Sequence, residues 1–207
     1  MQVDRKSMDR HNEHYRTDTV DKIVADHENL TKNKVQYKED NPIGMVVDNI
    51  SPNVKIAVDI GSGQGWGSNY LSQKFEKVYA IEPSIPAMKA AKFLYGKASN
   101  IVWINGFAEE EIRKLNLESP ALFYCACVLS HLEDSSVEEI CASINSVAKS
   151  GSRFSFSENW GIHHFAHLWH SRSAEWWQKQ FPGWELTFKN APGAPSGVKK
   201  GIVGLKK

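Results

Sequence analysis

Apolar and polar residues follow two alternating patterns along this chain. Short apolar runs, such as Val54 to Val58 and Val78 to Ile81, are typical of buried strands, and the stretches between such runs carry apolar residues at helical spacing. The pattern predicts, in order, strand 54–60, helix 66–75, strand 77–82, helix 84–96, strand 100–105, helix 108–116, strand 121–128, helix 135–148 and strand 152–158. Strands and helices that alternate in this way predict a parallel sheet with helices on both faces.

The two ends of the chain depart from this alternation. Near the amino terminus, apolar residues at helical spacing predict an amphipathic helix over about 18–31, and Asn41-Pro42 predicts the start of a second helix. After the last predicted strand we expect a helix from about 163 to 180, followed by strands 184–188 and 201–205. Because no helix separates these two strands, we expect them to pair as a hairpin.

The composition is that of one globular domain. At 207 residues, with 41% hydrophobic and 24% charged residues, the chain suits a single domain over residues 1–207, with a helical cap at 1–50 and a core at 51–207. A net charge of +1 provides no field that would attract nucleic acid, so no nucleic-acid partner is expected. Met1 to Arg10 lack an apolar signal core, and no window reaches the ~18 continuous apolar residues of a membrane span. We therefore expect a cytoplasmic protein without a membrane partner, whereas the oligomeric state has no signature in the sequence.

The cysteines do not indicate a disulfide framework. There are three of them, Cys125, Cys127 and Cys141, which is too few and too clustered for such a scaffold. Cys125 and Cys127 alternate within a predicted strand and should project to one face. We interpret them as small buried hydrophobic residues.

A glycine-rich turn follows the first predicted strand. The sequence Asp59 to Gly65 places glycines at alternate positions, which allows a sharp turn and a close approach of the backbone to a ligand. Glu82 ends the second predicted strand, where a carboxylate can accept hydrogen bonds from ribose hydroxyls. The pattern indicates a site for a nucleoside-containing cofactor.

Asp59 discriminates between the possible cofactors. A carboxylate two residues before the first glycine would repel a diphosphate, which argues against a nicotinamide dinucleotide. S-Adenosylmethionine carries a sulfonium and an ammonium group and has no phosphate, so the same carboxylate would favour it. A nicotinamide-dependent oxidoreductase remains a second hypothesis.

Four segments together carry a resemblance to a known family. Val58 to Gly65, Ile81 to Ser84, Asn105 to Glu109 and Val128 to Leu132 resemble, in order, motifs of the class I S-adenosylmethionine-dependent methyltransferases. The resemblance implies an α/β fold with a Rossmann-like seven-stranded sheet, an antiparallel last strand, helices on both faces and an N-terminal helical cap. It also implies cofactor contacts from Asp59, Gly61, Ser62, Gly63, Gly65, Trp66, Glu82, Pro83, Phe107, Ala108, Glu109 and Cys127.

The chain departs from the family pattern on the adenine side. The family usually has an acidic residue where Phe107 stands, so a contact to the adenine amine would come from Glu109 or from a backbone carbonyl. This difference keeps a third hypothesis open, a non-catalytic S-adenosylmethionine-binding module.

Candidate catalytic residues lie after the fourth and fifth predicted strands. His131 stands where the family often has a histidine near the methyl group, and it is either a base or a histidine hydrogen-bonded to backbone. Glu158 ends the fifth strand, and His163 belongs to a His- and Trp-rich stretch within 159–181 that we expect to face the acceptor. Three histidines of that stretch, His163, His167 and His170, would share one helix face, yet they span ~10 Å along the axis, too far for a single ion to touch all three. We therefore expect no metal, and a site made of two of them with Glu158 or His131 is the alternative.

The class of acceptor is inferred from the position of segment 159–181 after the fifth strand, because no sequence motif indicates it. Aromatic side chains in segment 159–181 supply flat apolar surface, which favours a small-molecule acceptor, and a protein or peptide acceptor is the alternative. The direct reaction would be an in-line methyl displacement. Whether the methyl group goes to oxygen, nitrogen, sulfur or carbon has no signature in the sequence.

Overall fold

The computed structural model describes residues 19–25, 50–157, 172–190 and 199–207. The strands are β1 Ile56–Ile60, β2 Lys77–Glu82, β3 Ile101–Asn105, β4 Ala121–Ala126, β5 Arg153–Ser157, β6 Trp184–Asn190 and β7 Lys199–Lys206. The helices are α1 Trp66–Ser72, α2 Ile85–Tyr95, α3 Ala108–Glu111, α4 Asp134–Val147 and α5 Ala174–Gln180, with short 3-10 helices at Ile112–Lys114 and Leu129–His131.

The strands form one seven-stranded sheet in the order β3-β2-β1-β4-β5-β7-β6. The first five strands pair in parallel, and β7 lies antiparallel between β5 and β6. The chain reverses its direction of progress along the sheet between β1 and β4, so this is the switch point where ligands bind in open α/β sheets. The predicted parallel sheet, the closing hairpin and the antiparallel last strand are confirmed.

Each face of the sheet has its own hydrophobic core. Successive side chains of a strand point to opposite faces, so Ala57 packs in one core with Leu71 of α1, while Val58 packs in the other with Ile140 of α4. All four side chains are fully buried or nearly so. Helix α1 therefore covers one face beneath the glycine turn, and α4 covers the other.

An aromatic cluster fixes the carboxyl-terminal part of the chain on β5. The ring of Phe154 lies 4.5 Å from that of Phe156, 4.3 Å from that of Phe181 and 5.2 Å from that of Trp184. Opposite Phe154, β7 has Gly204, whose missing side chain leaves the space that the Phe154 ring occupies. The cluster anchors α5, β6 and β7 to the parallel part of the sheet.

Several elements are shorter than the pattern predicts, among them strand 54–60, helix 66–75, helix 108–116 and strand 121–128. Helix 108–116 is an α-helix only as far as Glu111, and its continuation at Ile112–Lys114 is a 3-10 turn. Strand 121–128 ends at Ala126, because Cys127 has a positive φ of 57° that no strand residue adopts. Cys125 is buried as predicted, whereas the prediction of a buried Cys127 on the same strand face was wrong, since Cys127 is exposed.

Several predicted elements lie partly or wholly outside the described residues. Of the predicted helix 18–31, residues 20–25 are described and helical. The second amino-terminal helix and residues 163–171 of the predicted helix 163–180 fall outside. The prediction of one helix through positions 172 and 173 was wrong, because α5 begins at Ala174 and Ser173 is an extended N-cap residue whose hydroxyl accepts from the amide of Trp176 at 3.1 Å. Among the described helices, none is long and apolar enough to cross a membrane.

Candidate functional site

The carboxyl ends of three neighbouring strands bring the predicted cofactor residues to one edge of the sheet. Ile60 of β1 pairs with Ile81 of β2 on one side and with Cys125 of β4 on the other. Residues that follow these three positions therefore leave the sheet at the same level. The glycine turn, Glu82 and Cys127 are adjacent in space although 68 positions separate the first from the last.

Backbone contacts hold the glycine turn against its neighbours. The amides of Gly61 and Ser62 both donate to the carbonyl oxygen of Ile81, at 2.9 and 3.0 Å. Gly61 has a φ of 69°, and a Cβ atom there would lie 2.6 Å from Cγ2 of Val128. No other residue fits this position, since both the dihedral angle and the contact with the loop after β4 require glycine.

The tip of the turn, in contrast, is open. Gly63 has a φ of 52°, and a Cβ atom built on it meets no atom of the described residues within 4 Å. Beside it, Ser62 is 8% exposed, and its hydroxyl is buried without a hydrogen-bond partner among the residues that the structure describes. An open backbone surface next to an unpaired buried hydroxyl is suited to a polar ligand that passes close to the turn.

Asp59 lies beneath the turn at the end of β1, where it is 3% exposed. The hydroxyl of Ser68 on α1 donates to its Oδ2 at 2.6 Å. Burial is the main cause that raises the pKa of Asp59 from 3.8 to about 7, opposed by the Ser68 hydrogen bond and supported by the charge of Glu82. Asp59 is thus a carboxyl group whose ionised form is unfavourable in the protein by itself and would be favoured by a nearby cation.

Glu82, at the end of β2, is 6% exposed and has both oxygens engaged by backbone. The amide of Gly63 donates to Oε2 at 2.9 Å, and that of Ser84 donates to Oε1 at 2.8 Å. Burial raises the pKa of Glu82, and these two hydrogen bonds oppose the rise. A carboxylate offers about four acceptor sites, so Glu82 retains acceptor capacity for two further donors such as ribose hydroxyls.

The side chains around Glu82 keep its strand end in place. Asn105, at the end of β3, donates through Nδ2 to the carbonyl oxygens of Glu82 at 2.8 Å and of Pro83 at 3.1 Å. Ser84 caps α2 by accepting from the amide of Ala87 at 3.3 Å. The sequence analysis predicts no cofactor contact for Ser68, Ser84 or Asn105. Ser84 and Asn105 nevertheless lie in segments that resemble family motifs, and Ser84 directly precedes a helix with proline in its first turn.

The acidic residues make this end of the sheet electrostatically unusual. Within the described part of the chain, neither Asp59 nor Glu82 forms a salt bridge. Two buried carboxyl groups without a cationic side chain are costly for the fold, which is the usual signature of a ligand site rather than of a structural feature. The residues present therefore fit a ligand with positive charge and hydroxyl donors, and with no phosphate.

The remaining predicted cofactor residues surround this centre. Trp66 is the first residue of α1, and Pro83 follows Glu82; both are half-buried. Phe107 is half-buried at the start of α3, and Ala108 and Glu109 are buried behind it. The backbone carbonyl of Glu109 accepts a hydrogen bond from the hydroxyl of Ser143 at 2.8 Å, which joins α3 to α4.

His131 lies in the turn between β4 and α4, at the end of the 3-10 helix Leu129–His131. Its side chain is half-buried, and its amide donates to the carbonyl oxygen of Val128 at 3.0 Å. Arg172, which the sequence analysis does not predict as a site residue, binds the same turn. Its guanidinium donates to the carbonyl oxygens of Leu129, at 2.8 Å, and of Leu132.

Two predicted catalytic residues, Glu158 and His163, lie outside the described residues, as does the rest of the histidine stretch. In the part of the chain that is described, no group of three histidine, cysteine or acidic side chains is arranged to hold a metal ion.

Comparison with known proteins identifies the central part of the chain. A family model described as "Methyltransferase domain" matches residues 58–156, just under half of the sequence. The match begins before the glycine turn and ends in β5, so it includes Asp59, Glu82 and His131. Residues 58–156 form a class I S-adenosylmethionine-dependent methyltransferase domain. The predicted family and cofactor class are therefore confirmed. No curated protein sequence matches the chain.

Solved structures share the fold of this methyltransferase domain at low sequence identity. An amino pentose methyltransferase from Micromonospora echinaspora, with bound S-adenosylmethionine, is 13% identical with a TM-score of 0.65, covering 87% of this chain and 96% of its own. Phosphoethanolamine N-methyltransferase 1 from Haemonchus contortus is 13% identical with a TM-score of 0.61; 79% of this chain matches 41% of that one. An rRNA methylase from Streptococcus thermophilus is 16% identical with a TM-score of 0.58, covering 80% and 96%. Their acceptors differ, so the likeness concerns the fold.

Proposed function

We propose that the chain transfers the methyl group of S-adenosylmethionine to a small-molecule acceptor by direct in-line displacement. The sulfonium of the cofactor supplies the activated methyl group. The protein must hold the cofactor and acceptor in line and provide a group that accepts a proton from the acceptor. The observation that supports this proposal most is the pair of buried carboxyl groups, Asp59 and Glu82, around an open glycine tip.

Each group at the tip has a distinct part in this proposal. Asp59 would balance the positive charge of the methionine portion, which would return its pKa toward the ordinary range of a carboxyl group. Glu82 would accept hydrogen bonds from the ribose hydroxyls while the amides of Gly63 and Ser84 keep its carboxylate in place. The unpaired hydroxyl of Ser62 would gain a partner on the ligand.

His131 is the proposed base. It follows β4 at the switch point beside the glycine turn, because Val128, three residues earlier, contacts Gly61. An imidazole titrates near neutral pH and can take a proton from a hydroxyl or an amine. Glu158 and His163 are further candidates on the predicted acceptor side.

The small-molecule class is supported by two of the similar folds, whose names specify an amino pentose and phosphoethanolamine. The rRNA methylase represents another acceptor class, but a net charge of +1 offers no electrostatic attraction for RNA. A protein or peptide acceptor, or a binding module without catalysis, is the alternative.

Binding and transfer can be tested separately. Thermal unfolding should shift upward by roughly 5 °C or more with S-adenosylhomocysteine at about 100 times its Kd, and not with NAD, because ligand binding stabilises the native state. With radiolabelled S-adenosylmethionine, a metabolite extract and a peptide digest should be compared as acceptors. His131→Ala should keep the thermal shift and lose transfer. No shift with S-adenosylhomocysteine would refute the proposal, and transfer to the peptide digest alone would replace the acceptor class.

A further inference from the structure

Arg172 has a buried guanidinium group that binds other parts of the protein. It stands just before α5, and its side chain is only 4% exposed. The guanidinium donates to the carbonyl oxygens of Leu129 and Leu132 and, through Nε, to Oδ1 of Asp134 at 2.8 Å. These contacts connect residues that are 38 to 43 positions apart in sequence.

Aromatic side chains pack against Arg172. Its guanidinium carbon lies 5.2 Å from the ring centre of Trp176, and that ring meets the ring of Trp177 edge-on at 5.0 Å. Trp177 is buried and lies 5.8 Å from Phe156 of β5. A chain of aromatic contacts, from Trp176 through Trp177 to β5, therefore connects the guanidinium to the sheet.

The two carbonyl groups that Arg172 binds flank His131. Leu129 is two residues before it and Leu132 one residue after it. The short 3-10 turn between them has weaker hydrogen-bond geometry than an α-helix, with the amide of Leu132 donating to Leu129 at 3.2 Å. A planar guanidinium keeps its donors in a fixed fork and can hold both carbonyls in one geometry, whereas an ammonium group has no such fixed arrangement of donors.

We propose that Arg172 is the positioning residue of His131. By binding both carbonyl groups around His131, it fixes the turn after β4 so that the imidazole keeps one orientation at the switch point. A role of Arg172 in catalysis rests on the proposed function of His131 as the base. Asp134 is the charged partner of the buried guanidinium, and its own side chain is 60% exposed.

The chain contains a matched control for this contact. Lys206 donates to the carbonyl oxygens of Asn145, at 3.2 Å, and Ala148, at 2.8 Å, and lies 6.0 Å from the ring centre of Trp184. It is a cation that binds two carbonyls over a tryptophan, as Arg172 is. However, its contacts lie at the carboxyl end of α4, whereas His131 lies just before the amino end of that helix.

The test compares Arg172→Met, Arg172→Lys and Lys206→Met in the full chain by amide hydrogen exchange. In Arg172→Met, the amides of His131 and Leu132 should exchange about tenfold faster or more, since a hydrogen bond from a charged group is lost. The amide of Ala148, which donates to Ile144 at 2.9 Å, should be unaffected. Lys206→Met should give the reverse pattern, and Arg172→Lys should fall between the wild type and Arg172→Met.

A second measurement reports on the imidazole itself. The ring C–H resonance of His131, assigned with a His131→Gln variant, should shift or broaden in Arg172→Met, recover in part in Arg172→Lys and stay in place in Lys206→Met. The inference is overturned if that resonance is unchanged in Arg172→Met, or if all slow amides accelerate equally. A titration with S-adenosylhomocysteine keeps the two proposals apart. Failure of the wild type to bind refutes the proposed function, while the exchange pattern still decides whether Arg172 holds the turn.

Discussion

Replacing Asp59 with asparagine should make the ligand-free protein more stable and the cofactor site weaker. Asparagine has the same shape, and its amide oxygen can accept the hydrogen bond that Ser68 donates to Oδ2 at 2.6 Å. It removes a charge from a side chain that is 3% exposed and has no salt bridge within the described residues. The substitution therefore isolates the energetic cost of the buried carboxylate.

The expected change in the free energy of unfolding follows from the pKa of Asp59. A rise from 3.8 to about 7 corresponds to about 4 kcal/mol, at roughly 1.4 kcal/mol for each pKa unit. Between these pH values the folded protein binds a proton at Asp59 that the unfolded chain has released. The stability contributed by that proton is fully present below pH 3.8 and is lost as the pH rises to about 7. Above pH 7 the loss is complete.

Thermal unfolding at several pH values provides the assay. From pH 5 to 8, the wild type should lose about 3 kcal/mol from this group, or roughly 5–10 °C in Tm. Asp59→Asn should lack this decline and unfold at higher temperature than the wild type at pH 8. Glu82, whose pKa is also raised, adds to the decline in both proteins, so their difference reports on Asp59.

Two further measurements complete the experiment. The control Glu76→Gln changes an exposed carboxylate, 68% accessible and paired with Lys55, and should retain the wild-type pH dependence. Binding of S-adenosylmethionine to Asp59→Asn should weaken about tenfold or more, because the cation loses its counter-charge. If Asp59→Asn and the wild type follow the same Tm profile from pH 5 to 8, the reasoning on Asp59 is wrong.

Four other substitutions, in three experiments, test the site and the sheet. Gly63→Ala should cost only about 1–2 kcal/mol of stability, from its φ of 52°, yet abolish the thermal shift with S-adenosylhomocysteine; intact binding would show that the ligand avoids the tip. Glu82→Gln should raise the Kd for S-adenosylhomocysteine about tenfold or more in a calorimetric titration, and an unchanged Kd would contradict the ribose contact. Gly204→Ala should lower the denaturation midpoint, because its Cβ would overlap the ring of Phe154, and Phe154→Leu should destabilise the Gly204→Ala background less than the wild type; additive losses would contradict that overlap.

Most of the fold was predictable from sequence because the signals are local. Apolar runs at strand spacing and apolar residues at helical spacing need only neighbouring positions to be recognised, and they placed β1 to β5 within a few residues. The failures were also local in origin. The apolar pattern continued past Ala126, but the left-handed backbone of Cys127 ended the strand and exposed the side chain.

The candidate site was predictable only in part. Asp59 and Glu82 could be recognised because each directly follows an apolar run beside a glycine turn or a proline. Ser68 could not, because its contact with Asp59 depends on how α1 returns over the sheet. The predicted sites at Glu158 and His163 stay predictions.

The sequence by itself thus determined the class of domain, the strand ends that form the site and the chemistry of the cofactor region. Only the tertiary structure decided which groups hold these residues in place. Arg172 binds Leu129 across 43 positions, a contact that no periodicity encodes. It exists because the antiparallel end of the sheet and two tryptophan rings place α5 beside the turn of His131. Contacts of this kind depend on the order of the strands, and that order is set by the packing of the whole sheet.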